Sequence, residues 1–244
     1  MEPKIIPNII SGRGERTDQI KDPALLQADV DAVLDVLRAG GVAVIPTCLT
    51  YAIVGHRGPA IRSIFTAKNR SYEKPCGLFG SPALSREIHD LPEEKHAIAD
   101  WLAHEAKLPF SIVAGFRPSH PFLVNMDADV IANASKAGTM DMVVSGGPFV
   151  AALAARSFER GVAVFGSSAN RSLEGSKYRL MDVEPEVRAV AAIQLDYGLS
   201  RWATPRGLSS TIIDFRDFAV VREGHCFPEL KQAFAERFGI ALKQ

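Results

Sequence analysis

The stretch DPALLQADVDAVLDVLRAGGVAVIP, residues 22–46, limits the fold more than any other part of the chain. Asp22 stands where a helix N-cap accepts hydrogen bonds from free amide groups. Pro23 takes the first helical position, where its missing N–H costs nothing, and Gly40-Gly41 closes the run. Leu26, Val30, Val33, Leu34 and Leu37 then share one helical face. VAVIP follows at once, a short β-branched run of the kind that forms a central strand covered on both sides. A one-faced helix leading into a two-faced strand needs layers of helix on sheet.

The same alternation continues along the chain. PAIRSIFTAK reads as a helix with Ile61, Ile64 and Phe65 inward, followed by a strand near CGLFG and helices across PALSREIHD and EEKHAIADWLAHEAK. Strands near FSIVAGF and MDMVVS, the helix FVAALAARSFERG, and strands VAVFGSS and AIQLDY come next. A hairpin from STIIDF to AVVREG and a last helix, PELKQAFAERFG, complete the order. No repeat or low-complexity linker interrupts it, so residues 1–244 read as a single domain. The fold class is α/β, with a twisted mixed sheet flanked by helices, because the hairpin brings antiparallel pairing into a strand–helix alternation.

Composition removes several classes of function. With 28 basic and 28 acidic side chains the net charge is zero, so no global field draws the protein to nucleic acid or to an anionic membrane. Cys48, Cys76 and Cys226 are odd in number and form no CxxC, which suggests neither a disulfide framework nor a zinc site, and a reducing, cytoplasmic setting is expected. The six histidines are scattered; His96 and His104 lie two helical turns apart without a third ligand, so no protein-held metal is expected. No segment approaches the roughly 20 apolar residues of a membrane span, and the N-terminus has no apolar leader. A soluble, unprocessed protein is expected.

The polar clusters fall where regular elements end. In AVIPTCLTYAIVG, residues 43–55, a core strand runs into Thr47, Thr50 and Tyr51. Lys68, Arg70 and Lys74 follow a helix, GSSANRS with Ser168 and Asn170 follows a strand, Ser210 begins the hairpin and Arg222 closes it. Ligands of open α/β sheets collect beyond the carboxyl ends of strands. Turn hydroxyls and amides can hold phosphate or carboxylate oxygens there, with Lys and Arg supplying countercharge. Each cluster alone has a plainer reading, as a solvated basic loop, an ordinary turn or a half-buried tyrosine. Their shared placement favours an anion-binding cleft, although neither GxGxxG nor GxxxxGK[ST] occurs.

Five blocks carry a resemblance. GGVAVIPTCLTYAIVG, AIRSIFTAKNRSYEKPCGLF, VAVFGSSANRS, STIID and VVREG occur in the order found in the YrdC-like family of threonylcarbamoyl-adenylate synthases and span roughly residues 40 to 225. The resemblance implies a twisted α/β sheet with a deep ligand groove, a family-like core of about 22–225, an N-terminal extension 1–21 and a C-terminal helix 228–240. It implies ATP, with Mg²⁺ as its companion, bicarbonate and L-threonine or a related amino acid as reactants. The products would be a carbamoyl-adenylate and pyrophosphate, with tRNA or the tRNA-modifying transfer complex as partner and no membrane. Carried onto this sequence, it places Thr47, Thr50 and Tyr51 on the amino-acid side. Lys68, Arg70, Lys74, Ser168, Asn170, Ser210 and Arg222 fall on the ATP side, Lys68 and Arg70 being the catalytic cations.

The departures from the family pattern are specific. Cys48-Leu49 stands after Pro-Thr where an acidic residue is usual, and AIVG replaces Gly-Leu-Gly after the tyrosine. The Pro-Gly-Pro segment is not recognisable near LPFSIVAGFRPSHP, and MDMVVSGGPF replaces the Arg-Val-Pro block, with loss of a polar wall residue. A divergent synthase is therefore expected. Two alternatives stand beside it: carbamoyl-phosphate-dependent carbamoyl-adenylate chemistry on another substrate, and a non-catalytic nucleotide- or RNA-binding module. Cys48, though close to the expected pocket, reads as a small buried thiol. Leu230, Phe234 and Phe238 of the last helix form a stripe for the core or for a second subunit.

Overall fold

The computed structural model describes residues 8–243. Its strands are β1 (Asn8–Ile10), β2 (Ala43–Pro46), β3 (Tyr51–Gly55), β4 (Gly77–Phe79), β5 (Ser111–Gly115), β6 (Ser135–Lys136), β7 (Thr139–Val143), β8 (Phe165–Ser168), β9 (Ile193–Leu195), β10 (Ile212–Asp214) and β11 (Ala219–Arg222). One sheet runs β1-β9-β2-β3-β8-β4-β7-β5-β10-β11, with β6 paired only to β7. Parallel pairs such as β9–β2 and β4–β7 alternate with antiparallel ones such as β2–β3, β3–β8 and β5–β7, so the expected mixed sheet is present.

The helices are α1 (Pro23–Arg38), α2 (Gly58–Ala67), α3 (Pro82–Ile88), α4 (Glu93–His104), α5 (Pro121–Val124), α6 (Ala128–Ala134), α7 (Pro148–Arg160), α8 (Pro185–Arg188) and α9 (Phe227–Phe238). Asp22 caps α1 as its sequence position implies, its carboxylate accepting from the amides of Ala24 and Leu25. Val30, Val33, Leu34 and Leu37 are completely buried, each worth about 1.5–3 kcal/mol of apolar transfer.

Because strand side chains alternate, the central strands divide between two cores. Ala43 and Ile45 of β2 with Ala52 and Val54 of β3 join a core with α1 and α7. Val44, Tyr51 and Ile53 join the opposite core, which α2, α3, α4 and α9 cover. Leu230 and Phe234 of α9 are fully buried, and Phe234 packs edge-on against Phe215 and Phe218, so this helix closes the chain's own core.

Several elements differ from the sequence reading. Residues 47–50 link two antiparallel strands, and YAIVG is a strand buried along its whole length. Such a short apolar run has no periodicity to separate it from a loop or a buried helix end. The N-terminal segment contributes β1 at the sheet edge, parallel to β9, and Arg13 there forms an ion pair with the buried Asp29 of α1. The two-residue β6 and the four-residue α5 and α8 are too short to show a period, and α6 was also not anticipated. Among the described residues no helix is long and apolar enough to cross a membrane.

Candidate functional site

Helices α1 and α7 cover one face of the sheet above Ala43, Ile45 and Val54, and leave the neighbouring part of the same face open. That open part, over Ala52, Gly77, Val113, Asp141, Gly166 and Ser168, is the floor of a cavity of about 700 Å³. Gly77 and Gly166 pair across β4 and β8. The middle of the floor therefore carries no side chains.

The first wall is the β2–β3 turn. Thr47 Oγ1 donates to the carbonyl of Thr50 at 2.7 Å and accepts from the amides of Leu49 and Thr50, both at 3.0 Å. One donor and two lone pairs are thus all occupied inside the turn, leaving the Thr47 hydroxyl no capacity for a ligand. Thr50 Oγ1 donates to the Tyr51 carbonyl at 2.9 Å and keeps its acceptor lone pairs. Behind the turn, the Cys48 amide donates to the Gly146 carbonyl at 2.8 Å. Gly147 has φ +94, and a Cβ there would lie 2.8 Å from the Cys48 Cβ, so SGGPF supplies the close approach that seats the turn. The Cys48 thiol is buried and pushed up to about 12 chiefly by that burial, which leaves it unreactive.

The second wall follows α2. Lys68 caps the helix, and Asn69, with φ 48, takes the left-handed conformation that turns the chain outward. Lys68 is then directed inward and Arg70 toward the cavity. Lys68 is 1% exposed, and its ammonium donates to the carbonyls of Ser168 and Asn170, the latter at 2.6 Å. Burial, and then the nearby Arg70, pull its pKa down to about 7. Arg70 Nη2 donates to the Pro75 carbonyl at 2.8 Å, and its guanidinium lies 5.4 Å from the centre of the Phe65 ring. Its Nε is enclosed and has no partner among the described residues.

The β10–β11 hairpin forms the third wall. Arg222 Nε and Nη2 both donate to the Ser210 carbonyl, at 3.0 and 2.9 Å, and Nη2 also donates to Ser210 Oγ at 2.9 Å. Among the described residues the two N–H groups of Nη1 meet no acceptor. Enclosure lowers the Arg222 pKa, and Asp141 opposes this.

Of the residues singled out in the sequence, Thr47, Thr50, Arg70, Lys74, Ser168, Ser210 and Arg222 are brought together on this cavity. Tyr51, Lys68 and Asn170 do not line it. Tyr51 precedes the cavity-facing Ala52 and so points to the opposite face, where its hydroxyl donates to the Gly198 carbonyl at 2.8 Å and accepts from the Tyr197 amide at 3.1 Å. Asn170 bonds to the Arg171 carbonyl and leaves Oδ1 enclosed without a partner.

Ser167 and Ser209, which stand within the serine clusters of the sequence, also line the cavity, as do Lys136, Arg216 and Asp141, which sequence reasoning did not single out. The signal available for Asp141 was alternation along TMDMV, which places Thr139, Asp141 and Val143 on one face. Among the described residues no group of three or more His, Cys, Asp or Glu could hold a metal ion.

A family model described as telomere recombination, for the Sua5, YciO and YrdC proteins, matches residues 35–224. No curated protein matches the chain. Among solved structures, P. abyssi Sua5 complexed with L-threonine superposes with a TM-score of 0.63 at 19% identity, over 88% of this chain and 57% of that one. The chain thus spans little more than half the length of that Sua5. E. coli YciO gives 0.65 at 16% identity, over 91% and 99% of the two chains. A hypothetical protein of Streptococcus mutans gives 0.68 at 14% identity, over 97% of each. At these identities the likeness is one of fold.

Proposed function

The chain belongs to the Sua5/YciO/YrdC family, and on that footing we propose that it is an ATP-dependent carbamoyl-adenylate synthase. It takes ATP, bicarbonate and an amino acid, L-threonine or a relative, and its product serves the threonylcarbamoylation of tRNA in the cytoplasm by a partner complex. The observation that supports this most is convergence. Residues from four separate polar clusters meet on one cavity, with Arg70, Lys74 and Arg222 as cations and Ser168 and Ser210 as hydroxyls.

The reaction needs no covalent enzyme intermediate. The neutral amine nitrogen bonds to the carbon of bicarbonate, water leaves, and a carbamate results. A carbamate oxygen then bonds to the α-phosphorus of ATP while the bond to the bridging oxygen breaks and pyrophosphate departs. Catalysis on this route is positioning and neutralisation of the departing charge. Arg70, with its unpartnered Nε, and Arg222, with its unassigned Nη1, are the groups suited to the phosphates. Lys68 acts behind the wall, holding the carbonyls of Ser168 and Asn170 so that the serine loop keeps its shape. Mg²⁺ would enter on the phosphates of ATP, neutralising their charge.

The test is pyrophosphate release from purified protein with Mg-ATP and bicarbonate, without an amine and then with L-threonine and a panel of other amino acids. Stimulation by an amino acid is expected. Silence with every amine would overturn the reading and turn attention to carbamoyl phosphate or to nucleotide binding without turnover.

A further inference from the structure

Among the described residues that line the cavity, Asp141 is the one acid, and phosphate binding gives it no task. It sits on β7, paired with Val113 of β5, while Gly77 of β4 lies on its other side. Neither neighbour offers a hydrogen bond. Oδ1 is enclosed and has no partner among the described residues, and the surface the residue exposes is cavity surface. A Cβ on Gly77 would stand only 3.1 Å from Oδ2, so the glycine keeps the space that the carboxylate occupies. Arg222 is close enough for its charge to be felt at Asp141, but its hydrogen bonds go to Ser210.

An enclosed carboxylate oxygen without a partner is costly, and the charge repels the phosphates that Arg70 and Arg222 would attract. Both costs disappear if the ligand brings a cation to this point. Mg²⁺ also binds through one carboxylate together with phosphates and waters, so the response to Mg²⁺ is measured beside amine binding. An ammonium group needs only an acceptor, and a carboxylate is its strongest.

Resting on the carbamoyl-adenylate reading for the identity of the amine, we propose that Asp141 is the specificity-determining residue of the cavity. It receives the ammonium group of the incoming amino acid and selects amine-bearing ligands over purely anionic ones. This gives a function to the segment MDMVVSGGPF, which places an acid on the wall of a cavity otherwise charged for anions.

The experiment measures equilibrium binding of L-threonine, L-serine and glycine, and of the α-hydroxy acid in which a hydroxyl replaces the amine of threonine. It compares the wild-type protein with Asp141→Asn and Asp141→Ser. Wild-type protein is expected to bind at least one amine tenfold or more tightly than the hydroxy acid, and both variants to lose that preference. ATP affinity in the variants should hold or rise, which also reports that they are folded.

Wild-type protein that binds none of the amines, or binds amine and hydroxy acid alike, overturns the proposal. So do variants that keep the preference, or that lose only the response to Mg²⁺. Pyrophosphate release is read separately. Asp141-dependent amine binding without pyrophosphate would overturn the synthase reading alone, and turnover with an unchanged amine KM in Asp141→Asn would overturn the role of Asp141 alone.

Discussion

The ammonium nitrogen of Lys68 lies 2.6 Å from the carbonyl oxygen of Asn170 and also donates to the carbonyl of Ser168, which ties the end of α2 to the loop after β8. Lys68→Met keeps the apolar stem and removes the donor, leaving the enclosed Asn170 carbonyl unpaired at about 1–3 kcal/mol, while the Ser168 carbonyl keeps the Asn170 amide as a donor. Chemical denaturation should show that loss as a lowered midpoint, with weaker ATP binding following from the loosened loop. An unchanged midpoint with abolished ATP binding would place the ammonium on the ligand instead.

Arg222 uses three directed contacts to Ser210 to hold its fork in place. Arg222→Ala should lower pyrophosphate release by about 100-fold, as for loss of a donor aimed at developing charge. Arg222→Lys should restore little, since an ammonium cannot reproduce a planar fork that bonds a carbonyl and a hydroxyl together. Steady-state kinetics of the two variants decide this.

Tyr51→Phe should act on stability and leave the amine KM alone. The hydroxyl bridges the Gly198 carbonyl and the Tyr197 amide on the face of the sheet opposite the cavity. Losing it orphans a buried amide at a cost of about 1–3 kcal/mol. A raised KM with an unchanged melting temperature would move Tyr51 back to the substrate.

Burial raises the Asp141 pKa to about 6, against the attraction of Arg222. The groups facing it are Gly77 from β4 and Val113 from β5, which do not titrate, Arg222 from β11, and the thiol of Cys76, itself pushed up to about 12 chiefly by burial. The ordinary value for the carboxyl is 3.8, so between about 4 and 6 the folded protein holds a proton that the unfolded chain has released. Stability due to this group is therefore full below about 4 and is lost as pH rises through about 6. Asp141→Asn should accordingly be more stable than wild type at pH 7 and no more stable at pH 4. Amine affinity runs the other way, falling in the wild type below pH 6 as the carboxylate protonates. Melting curves and binding isotherms across pH 4–8 test both.

How much of this was legible in the sequence depended on whether local signals carried the information. Asp22, Pro23 and the spacing of Val30, Val33, Leu34 and Leu37 carry α1 completely, because caps and helical period are local. The pairing of β2 with β3 is local too, yet YAIVG gave no period to read. The family resemblance carries Tyr51 to the cavity, and a turn does not show which face its next residue takes; once β3 is a strand, its alternation with Ala52 settles the direction. Arg70, Lys74 and Arg222 were placed by sequence blocks, and they do reach one cavity. Alternation along TMDMV puts Asp141 on one face of its strand, while its isolation shows only in the tertiary structure, since it depends on Gly77 and Val113 from two other strands.

The turn at residues 47–50 is both a connection and a wall, and its internal bonding has a thermodynamic consequence. Thr47 satisfies the turn's own amides and carbonyl, and Gly146 and Gly147 hold it from behind before any ligand arrives. A ligand that settles against this wall does not have to freeze it, so the ordering entropy that usually weakens binding to loops is already absent. Heat-capacity and entropy changes on association should then report the hydration of the cavity and the mobility of long side chains such as Lys74, with little contribution from the backbone that frames it.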